Sequence, residues 1–427
     1  MAISNHNNFV IEMESMLEEA ETDMAAECCC IYRVPNDIRK LNEDSFTPKV
    51  VSIGPFHYGH PRLKNMEKYK LVYLKQFRKR ISSTISLDRL ISFVEEIEPG
   101  VRLHYSEPIE LSNQELVKVI LLDSCFLFEL FLRSYYSEWD GVIMLKPWQA
   151  TTVRIDLLLL ENQLPFRDLE KLFSRVFPSS MTNDRNPSFL HLTFDYFAYY
   201  NNVKLQPQGV TISHFADLIR TFHLPPMSSQ PKRLRKSVTY VQSATELAEA
   251  GVTLRKSTSS CLLDFKFSGG ILEIPELKVD DWTETLLRNL VALEQCHYPS
   301  DSYITDFVAI MDFLINTSSD VDLLVQEGII INWLGESNSV ANLFNSLWKN
   351  ITHVDFNSHY SNVCKDLNAF CKSPWNNMKA TLRHDYCNTP WQTAASIAGI
   401  LLLLLSLIQA VSSILQVLQQ FKQSSSH

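Results

Sequence analysis

This chain contains few glycines and has no excess of positive charge. It contains 11 glycines in 427 residues, where about 7% is usual. This argues against a turn-dense all-β architecture and against glycine-rich phosphate loops as the main theme. The 39 Lys and Arg residues stand against 48 Asp and Glu, giving a net charge of -9. The sequence lacks the overall basic character of nucleic-acid-binding proteins, so we predict no nucleic-acid partner.

Short catalytic and cofactor-binding motifs are also missing. The sequence has no GxSxG, Walker, GxGxxG, HExxH or EF-hand pattern. Its one HxxH, at His57 and His60, has no further ligand at metal-binding spacing, so we interpret it as a structural loop. Cys296 and His297 are adjacent, and neighbours on a helix point about 100° apart, which excludes a direct nucleophile–base pair. We predict no catalytic, cofactor-binding or metal-binding residue and no cofactor. An enzyme whose site assembles only in space stays open.

The cysteines do not suggest a disulfide scaffold or a zinc site. There are nine of them, an odd number in a long chain, and no CxxC pair occurs. Cys28, Cys29 and Cys30 are consecutive, which is poor geometry for ligating one metal. We predict buried free thiols in a reducing compartment. The alternative for Cys28–Cys30 is palmitoylation beside a membrane.

The clearest physical signal lies near the C-terminal end of the sequence. No charged residue occurs between Asp385 and Lys422, and Ala394 to Leu418 is almost continuously apolar. About 20 such residues suffice to cross a bilayer as a helix. Trp391 suits the membrane interface and Lys422 can reach back to it. We predict a transmembrane helix at 391–418, with the lipid bilayer as partner. The alternative is a buried helix of a large soluble domain.

The ends of the chain suggest a topology. Residues 1–27 form an acidic segment without a signal peptide, and a short tail, 419–427, follows the predicted helix. The simplest expectation is a tail-anchored protein with a cytosolic body, and we favour the plasma membrane over an endomembrane. The glycosylation sequons at Asn316 and Asn350 would matter only if the body lay outside.

Between these ends, hydrophobic periodicity predicts a mainly α fold. We expect a large helical globular body at 28–387 with minor β, namely one short hairpin, plus the single C-terminal transmembrane helix. The hairpin is predicted from a strand at 261–267, a turn at 268–270 and a strand at 271–274. The predicted helices are 63–85, 115–136, 153–163, 189–201, 213–222, 283–295, 304–315, 321–326, 340–348 and 360–384.

Two basic stretches allow alternative interpretations. The proline-rich segment 225–237, which ends in Lys232, Arg233, Arg235 and Lys236, predicts a flexible exposed linker inside the body. The first long helix carries a basic face made of Lys64, Lys68, Lys75 and Lys79. We interpret both as solvated surfaces, and contact with anionic lipid is the alternative.

Eight sequence blocks are familiar in combination. They are Ile31–Pro35, Pro48–Gly59, Leu63–Leu74, Leu121–Phe131, Leu159–Phe166, Ser243–Val252, Arg288–Cys296 and Pro390–Trp391. Together they resemble one plant family, that of domain of unknown function 247. Leu159–Phe166 (LLENQLPF) is the most specific of them, and the matches run in order from Ile31 to Leu418. His57-Tyr58 stands where the family commonly has two histidines, which further weakens a metal site there.

The resemblance implies a single-pass membrane protein and supplies no catalytic residue. Some grass members of the family are similar to self-incompatibility determinants, which implies recognition roles. We therefore predict a membrane-anchored protein of unknown biochemical activity that acts as an interaction or recognition module with unknown protein partners. The alternatives are a membrane-tethered enzyme and a lipid-contacting scaffold that uses the two basic stretches.

Overall fold

The computed structural model describes residues 9–11, 13–17, 28–81, 85–138, 145–178, 187–226, 229–233, 240–352, 355–373 and 390–424. Several predictions fall outside these ranges: most of the acidic segment, Arg235 and Lys236, Cys387, and the end of the helix predicted at 360–384. The mainly α fold with minor β is confirmed.

The helices of the described residues are numbered in chain order. They are α1 Asn36–Arg39, α2 Lys64–Ile81, α3 Leu87–Arg102, α4 Asn113–Tyr136, α5 Pro147–Asp156, α6 Phe166–Val176, α7 Phe189–Tyr196, α8 Phe215–His223, α9 Ala244–Glu249, α10 Thr283–His297, α11 Tyr303–Leu314, α12 Ser318–Gln326, α13 Ser337–Leu347, α14 Ser358–Lys372 and α15 Pro390–Ser424. Short 3-10 turns lie at Glu43–Ser45, Pro61–Leu63 and Ala198–Tyr200.

Helix α4 is the centre of the N-terminal half of the body. It begins with a capping box in which Ser112 and Glu115 bond each other's backbone N–H, and it ends at Ser137, whose φ is +55°. Every residue from Val119 to Leu132 is buried. Helices α2, α3 and α7 pack around it. The central core helix predicted at 115–136 is therefore confirmed, and it is apolar on most sides because neighbours cover it on most sides.

Five short strands form two small sheets. They are β1 Thr253–Lys256, β2 Lys266–Ser268, β3 Ile271–Ile274, β4 Leu277–Val279 and β5 Ile330–Asn332. The first sheet has the order β1-β3-β2, with β1 parallel and β2 antiparallel to β3, and the second pairs β4 with β5 in parallel. The predicted hairpin is thus present as β2–β3. Gly269 and Gly270 form its turn with positive φ, where L side chains are strained.

Several sequence-based boundaries are wrong. The helices predicted at 63–85, 189–201 and 360–384 end earlier, at Ile81, Tyr196 and Lys372. The first hairpin strand begins at Lys266 instead of Cys261, because the backbone turns between Cys261 and Phe265 with short-range hydrogen bonds. The helix predicted at 153–163 ends at Asp156. Past that point the side-chain amides of Asn162 and Gln163 bond the carbonyls of Asp156, Leu157 and Leu159 at 2.7–2.8 Å. In a continuing helix, backbone N–H groups would donate to these carbonyls. Here the side-chain amides donate to them instead.

The predicted flexible linker is anchored at its described end. Arg233 donates to Asp355 Oδ1 at 3.0 Å, to Ser302 Oγ at 2.6 Å and to Asp306 Oδ1 at 3.2 Å. Its side chain is 12% exposed. The expectation of a solvated basic cluster is therefore wrong for Arg233, because the body supplies acidic partners that lie far from it in the sequence.

Asp320, at the start of α12, gives a pH-dependent prediction. Burial alone would raise its pKa, but hydrogen bonds from Thr245 and Thr317 outweigh burial and lower the pKa to about 2. The ionised carboxylate therefore stabilises the fold above its unfolded pKa of about 3.9, and this stabilisation is lost as the pH falls towards 2. We expect Asp320→Asn to lose about 2 kcal/mol of unfolding free energy at pH 7 and about half as much at pH 3.

The measurement is urea unfolding of the full chain in detergent at both pH values. Asp322→Asn is the matched control, since Asp322 lies exposed on the same helix and bonds Ser337 there. An equal loss at pH 7 and pH 3 would contradict the assigned role of the Asp320 charge.

Helix α15 contains an apolar stretch that is not covered by the body. The segment Ile397–Leu418 has 22 residues, a mean hydropathy of 2.3 and no buried share. By length and composition it is able to cross a membrane. It is not the buried core helix that the sequence left open as an alternative.

Candidate functional site

The loop 49–54 is held by acidic and amide side chains whose oxygens accept its backbone N–H groups. Asp156, the last residue of α5, accepts from Lys49 at 2.9 Å, Val50 at 2.7 Å and Val51 at 2.9 Å. Its side chain is enclosed, and burial raises its pKa to about 6 although these three donors oppose the shift. The carboxylate thus acts as a fixed acceptor for one turn of backbone.

Glu161 organises the segment before that loop. It accepts from the Val34 N–H at 2.9 Å, and its carboxylate lies 2.7 Å from Arg39 Nη1 and 3.3 Å from His57 Nε2. Burial opposes ionisation, yet His57, Val34 and Arg39 together lower the pKa of Glu161. His57, the first histidine of the HxxH, therefore faces a buried carboxylate.

Asn162 and Gln163 complete this arrangement at the centre of the body. Asn162 accepts from the Ile53 N–H at 2.6 Å and donates to the Val51 carbonyl at 3.0 Å. Gln163 accepts from the Phe215 N–H at 2.9 Å, which ties this loop to α8. Gly54 is required here, because its φ is +75° and an added Cβ would lie 2.3 Å from the Gln163 carbonyl oxygen.

A fully buried ion pair supports the same loop from α2 and α4. Lys70 Nζ lies 2.5 Å from Asp123 Oδ1 and donates to the Ser52 carbonyl at 2.7 Å, while Asp123 Oδ2 accepts from the Gly54 N–H at 2.8 Å. Each ion therefore also bonds the loop backbone. We name the whole set the loop clamp: Lys70, Asp123, Asp156, Glu161, Asn162 and Gln163.

A second buried hub joins the two halves of the body. Glu294 on α10 accepts from the Ile304 and Thr305 backbone N–H groups at 3.0 and 2.7 Å and pairs with Arg220 at 3.0 Å. Asn289, one turn earlier, accepts from the Leu160 N–H at 2.9 Å. The acid at 294 is thus a structural acceptor, although its neighbours Cys296 and His297 invite a catalytic interpretation.

The arrangement closest to a catalytic triad is Cys30, His104 and Asp168. Cys30 Sγ lies 3.7 Å from His104 Nδ1, and His104 Nε2 lies 3.4 Å from Asp168 Oδ2. Hydrogen bonding to Asp168 raises the pKa of His104. Sequence inspection missed this set, because its members lie far apart in the chain and form no motif.

Two observations oppose a nucleophilic role for Cys30. Burial raises the pKa of its thiol to about 12, so the thiolate is scarce at neutral pH. His104 Nδ1 also lies 2.6 Å from the Cys28 carbonyl oxygen. That nitrogen must carry a hydrogen to bond a carbonyl, so it cannot accept the proton of Cys30. The three residues attach the start of the body to α3 and α6.

The remaining sequence candidates lie apart from one another. His60 Nδ1 accepts from the Arg62 N–H at 3.3 Å, and His297 Nδ1 lies 3.0 Å from the Tyr32 hydroxyl. Cys296 is half-buried, and burial raises its pKa to about 11. Within the described ranges, no three His, Cys, Asp or Glu side chains come together in a way that could hold a metal ion.

Comparisons with known proteins match this chain to plant proteins of unknown function. A family described as plant protein of unknown function, built on domain of unknown function 247, matches residues 31–405. UPF0481 protein At3g47200 of Arabidopsis thaliana is 30% identical over 88% of this chain and 84% of its own length. Putative UPF0481 protein At3g02645 of the same plant is 23% identical over 94% and 93%. No solved structure is significantly similar.

The chain therefore belongs to the plant family of domain of unknown function 247. The match includes the loop clamp and the first part of the apolar helix, since both lie inside residues 31–405. Similarity to grass self-incompatibility determinants is not part of these comparisons and stays a prediction.

Proposed function

We propose that this protein is anchored in a membrane through Ile397–Leu418 and that its body recognises a protein partner. The observation that carries the anchor is the 22-residue apolar stretch with no buried share. At 1.5 Å per residue it is about 33 Å long, close to the roughly 30 Å hydrocarbon core of a bilayer. Leu402 and Leu403 are 68% and 66% exposed, which is unfavourable in water and favourable in lipid.

The recognition role rests on how the body uses its polar side chains. Asp156, Asn162 and Glu294 are each bonded to backbone N–H groups of distant segments. The candidate nucleophile Cys30 is a buried neutral thiol. These observations support a rigid scaffold that binds, and they favour binding over bond-making chemistry. We place the body in the cytosol and the anchor in the plasma membrane as part of the same proposal.

The anchor is tested by placing charges at the middle of the apolar stretch. We expect the wild-type chain to stay in membranes after alkaline carbonate extraction, and the double variant Leu407→Asp/Ile408→Asp to appear in the soluble fraction. Each aspartate at a helix centre costs about 3 kcal/mol on insertion scales. Leu71→Asp is the control, because Leu71 is exposed on α2 of the body. Release of the wild-type chain by carbonate would contradict the anchor.

Protease protection on sealed vesicles tests the side of the body. Epitopes are placed near Pro225 and after His427. Digestion of the first and protection of the second agree with a cytosolic body, whereas the reverse pattern would overturn that placement.

Recognition is tested by lysine crosslinking of the full chain in its native membranes. Two differently tagged copies are expressed together, so that an adduct of two copies can be told from an adduct with another protein. We expect a discrete adduct that holds a single tag. An uncrosslinked chain, or adducts that contain only copies of this chain, would oppose a separate protein partner.

A further inference from the structure

A cavity of about 500 Å³ opens at the surface where α5, the turn after α7, β4 and the start of α10 meet. Binding sites for small molecules commonly measure 300–1,000 Å³. Its lining includes Arg154, Tyr199, Tyr200, Leu262, Lys278 and Trp282. We name it the Arg154 bay. Its lining includes neither Cys30 nor any residue of the loop clamp.

Arg154 differs from the other charged residues of the bay, because no acidic side chain among the described residues pairs with it. Its guanidinium lies 5.2 Å above the Tyr196 ring and is hydrogen-bonded to that tyrosine, while its Nε is buried without a hydrogen-bond acceptor. The bay's other charged side chains are paired: Lys278 lies 3.5 Å from Asp280, and Glu276 is bonded to Lys256. The charge of Arg154 is therefore left for a ligand to balance.

The neighbouring tyrosines do not balance that charge. Burial raises the pKa of Tyr196 to about 12 although Arg154 opposes the shift, and burial also raises the pKa of Tyr200. Both hydroxyls are neutral at pH 7. The Tyr196 ring is itself fixed by stacking on Phe131, with centroids 4.4 Å apart. The guanidinium thus lies over a rigid ring, and little of its freedom is lost when it binds an anion.

The walls of the bay suit a flat apolar group. Tyr199 is 60% exposed, so much of its ring is accessible, although Lys278 Nζ lies 5.6 Å from the ring centroid. Trp282 is partly buried against the core, with Lys49 5.3 Å from its ring centroid. Leu262 adds an aliphatic surface. Aromatic rings favour offset or edge contacts with other rings, which add to the area they bury.

We propose that the Arg154 bay binds a small organic carboxylate carried on a flat apolar ring. The carboxylate pairs with the Arg154 guanidinium, which can offer two parallel N–H donors. The ring lies among Tyr199, Tyr200 and Trp282. This site does not depend on membrane anchoring, so failure of either proposal leaves the other standing.

The test uses 1-naphthoate as the probe and its neutral amide, 1-naphthamide, as the matched ligand. Binding to the full chain in nanodiscs is measured by calorimetry, with empty nanodiscs to subtract partitioning into lipid. We expect saturable binding of the acid and at least tenfold weaker binding of the amide. Arg154→Gln should weaken the acid ten- to hundredfold and leave the amide unchanged, because it removes a charge-assisted bond.

Arg175→Gln is the control variant, because Arg175 lies 5.1 Å over the Phe93 ring in a comparable stacked position but is paired with Glu96. It should leave affinity within twofold. If Arg154→Gln fails to fold, Tyr199→Ala is measured instead. It should weaken binding of the acid and of the amide to the same extent, because the exposed Tyr199 ring should contribute to both ligands alike. Equal affinity for acid and amide, no saturable binding at millimolar acid, or unchanged affinity in the folded Arg154→Gln variant would overturn the proposal.

Discussion

Replacing Asn162 by alanine is expected to unfold the body at physiological temperature. The side chain is fully buried and makes three hydrogen bonds to backbone: from Ile53 N–H at 2.6 Å, and to the carbonyls of Val51 and Asp156 at 3.0 and 2.8 Å. Alanine lacks the side-chain amide and so removes all three hydrogen bonds at once. It leaves one N–H and two carbonyls buried where water does not replace the amide.

The size of this effect follows from the cost of unsatisfied buried groups. Each costs about 1–3 kcal/mol, so the three together cost about 3–9 kcal/mol. The whole stability of a folded domain is about 5–15 kcal/mol. The substitution therefore removes most or all of it, and the loop 49–54 loses the attachment that fixes its path.

The measurement is pulse proteolysis of the full chain in detergent across a urea series. Asn345→Ala is the matched control, because Asn345 makes a single exposed hydrogen bond to the Asn316 carbonyl. We expect the control to change stability by less than about 1 kcal/mol. A similar small change for Asn162→Ala would show that the loop clamp contributes little to the fold.

The helices of the body could be predicted from hydrophobic periodicity, because each carries its own pattern within 10 to 20 residues. The central helix at 115–136 and the helix that begins at Thr283 are examples. Helix α3, Leu87–Arg102, was missed. It contains Pro99, which cannot donate an N–H to the carbonyl four residues earlier and usually interrupts a helix, yet here the helix continues to Arg102.

Part of the loop clamp could be located in the sequence as a conspicuous block of residues, but the contacts that these residues make could not be predicted. Resemblance pointed to Leu159–Phe166, yet two of the three backbone partners of Asn162 lie about a hundred residues earlier. Hydrophobic pattern even placed Asn162 in a helix. Long-range pairing of a side-chain amide with backbone leaves no periodic signal. Arg154 presents the same difficulty, since what distinguishes it is the lack of an acidic partner among the described residues, which only the three-dimensional structure reveals.

Replacing Lys70 by methionine has the second large expected effect. The substitution leaves Asp123 buried without its cation, and removing one partner of a buried pair costs about 3–5 kcal/mol. The Ser52 carbonyl also loses its donor. Lys68→Met is the matched control, because Lys68 is exposed two residues away on the same helix. A comparable loss for both variants would contradict a special role for the buried pair.

The pH dependence separates this mechanism from a simple loss of packing. Burial raises the pKa of Asp123, against the attraction of the Lys70 ammonium. The folded state of the wild type already binds a proton at Asp123 more readily than the unfolded state, and without Lys70 the pKa of Asp123 rises further, which widens this difference. Stability of Lys70→Met then falls as the pH rises above the unfolded value of about 3.9. We expect a smaller deficit relative to wild type at pH 5 than at pH 8.

The double variant Lys70→Met/Asp123→Leu completes the argument. It removes the buried unpaired charge of Asp123 and replaces both buried ions with apolar groups, which is often neutral or stabilising relative to a buried pair. The carboxylate of Glu67, which lies 2.6 Å from Lys70 Nζ and is 28% exposed, remains without this cation. We expect it to recover more than half of the loss of Lys70→Met and to lose the added pH dependence. Recovery stays incomplete, because the Gly54 N–H and the Ser52 carbonyl no longer have the partners that fix this loop. A double variant as unstable as Lys70→Met would show that the backbone contacts of the pair outweigh its charge.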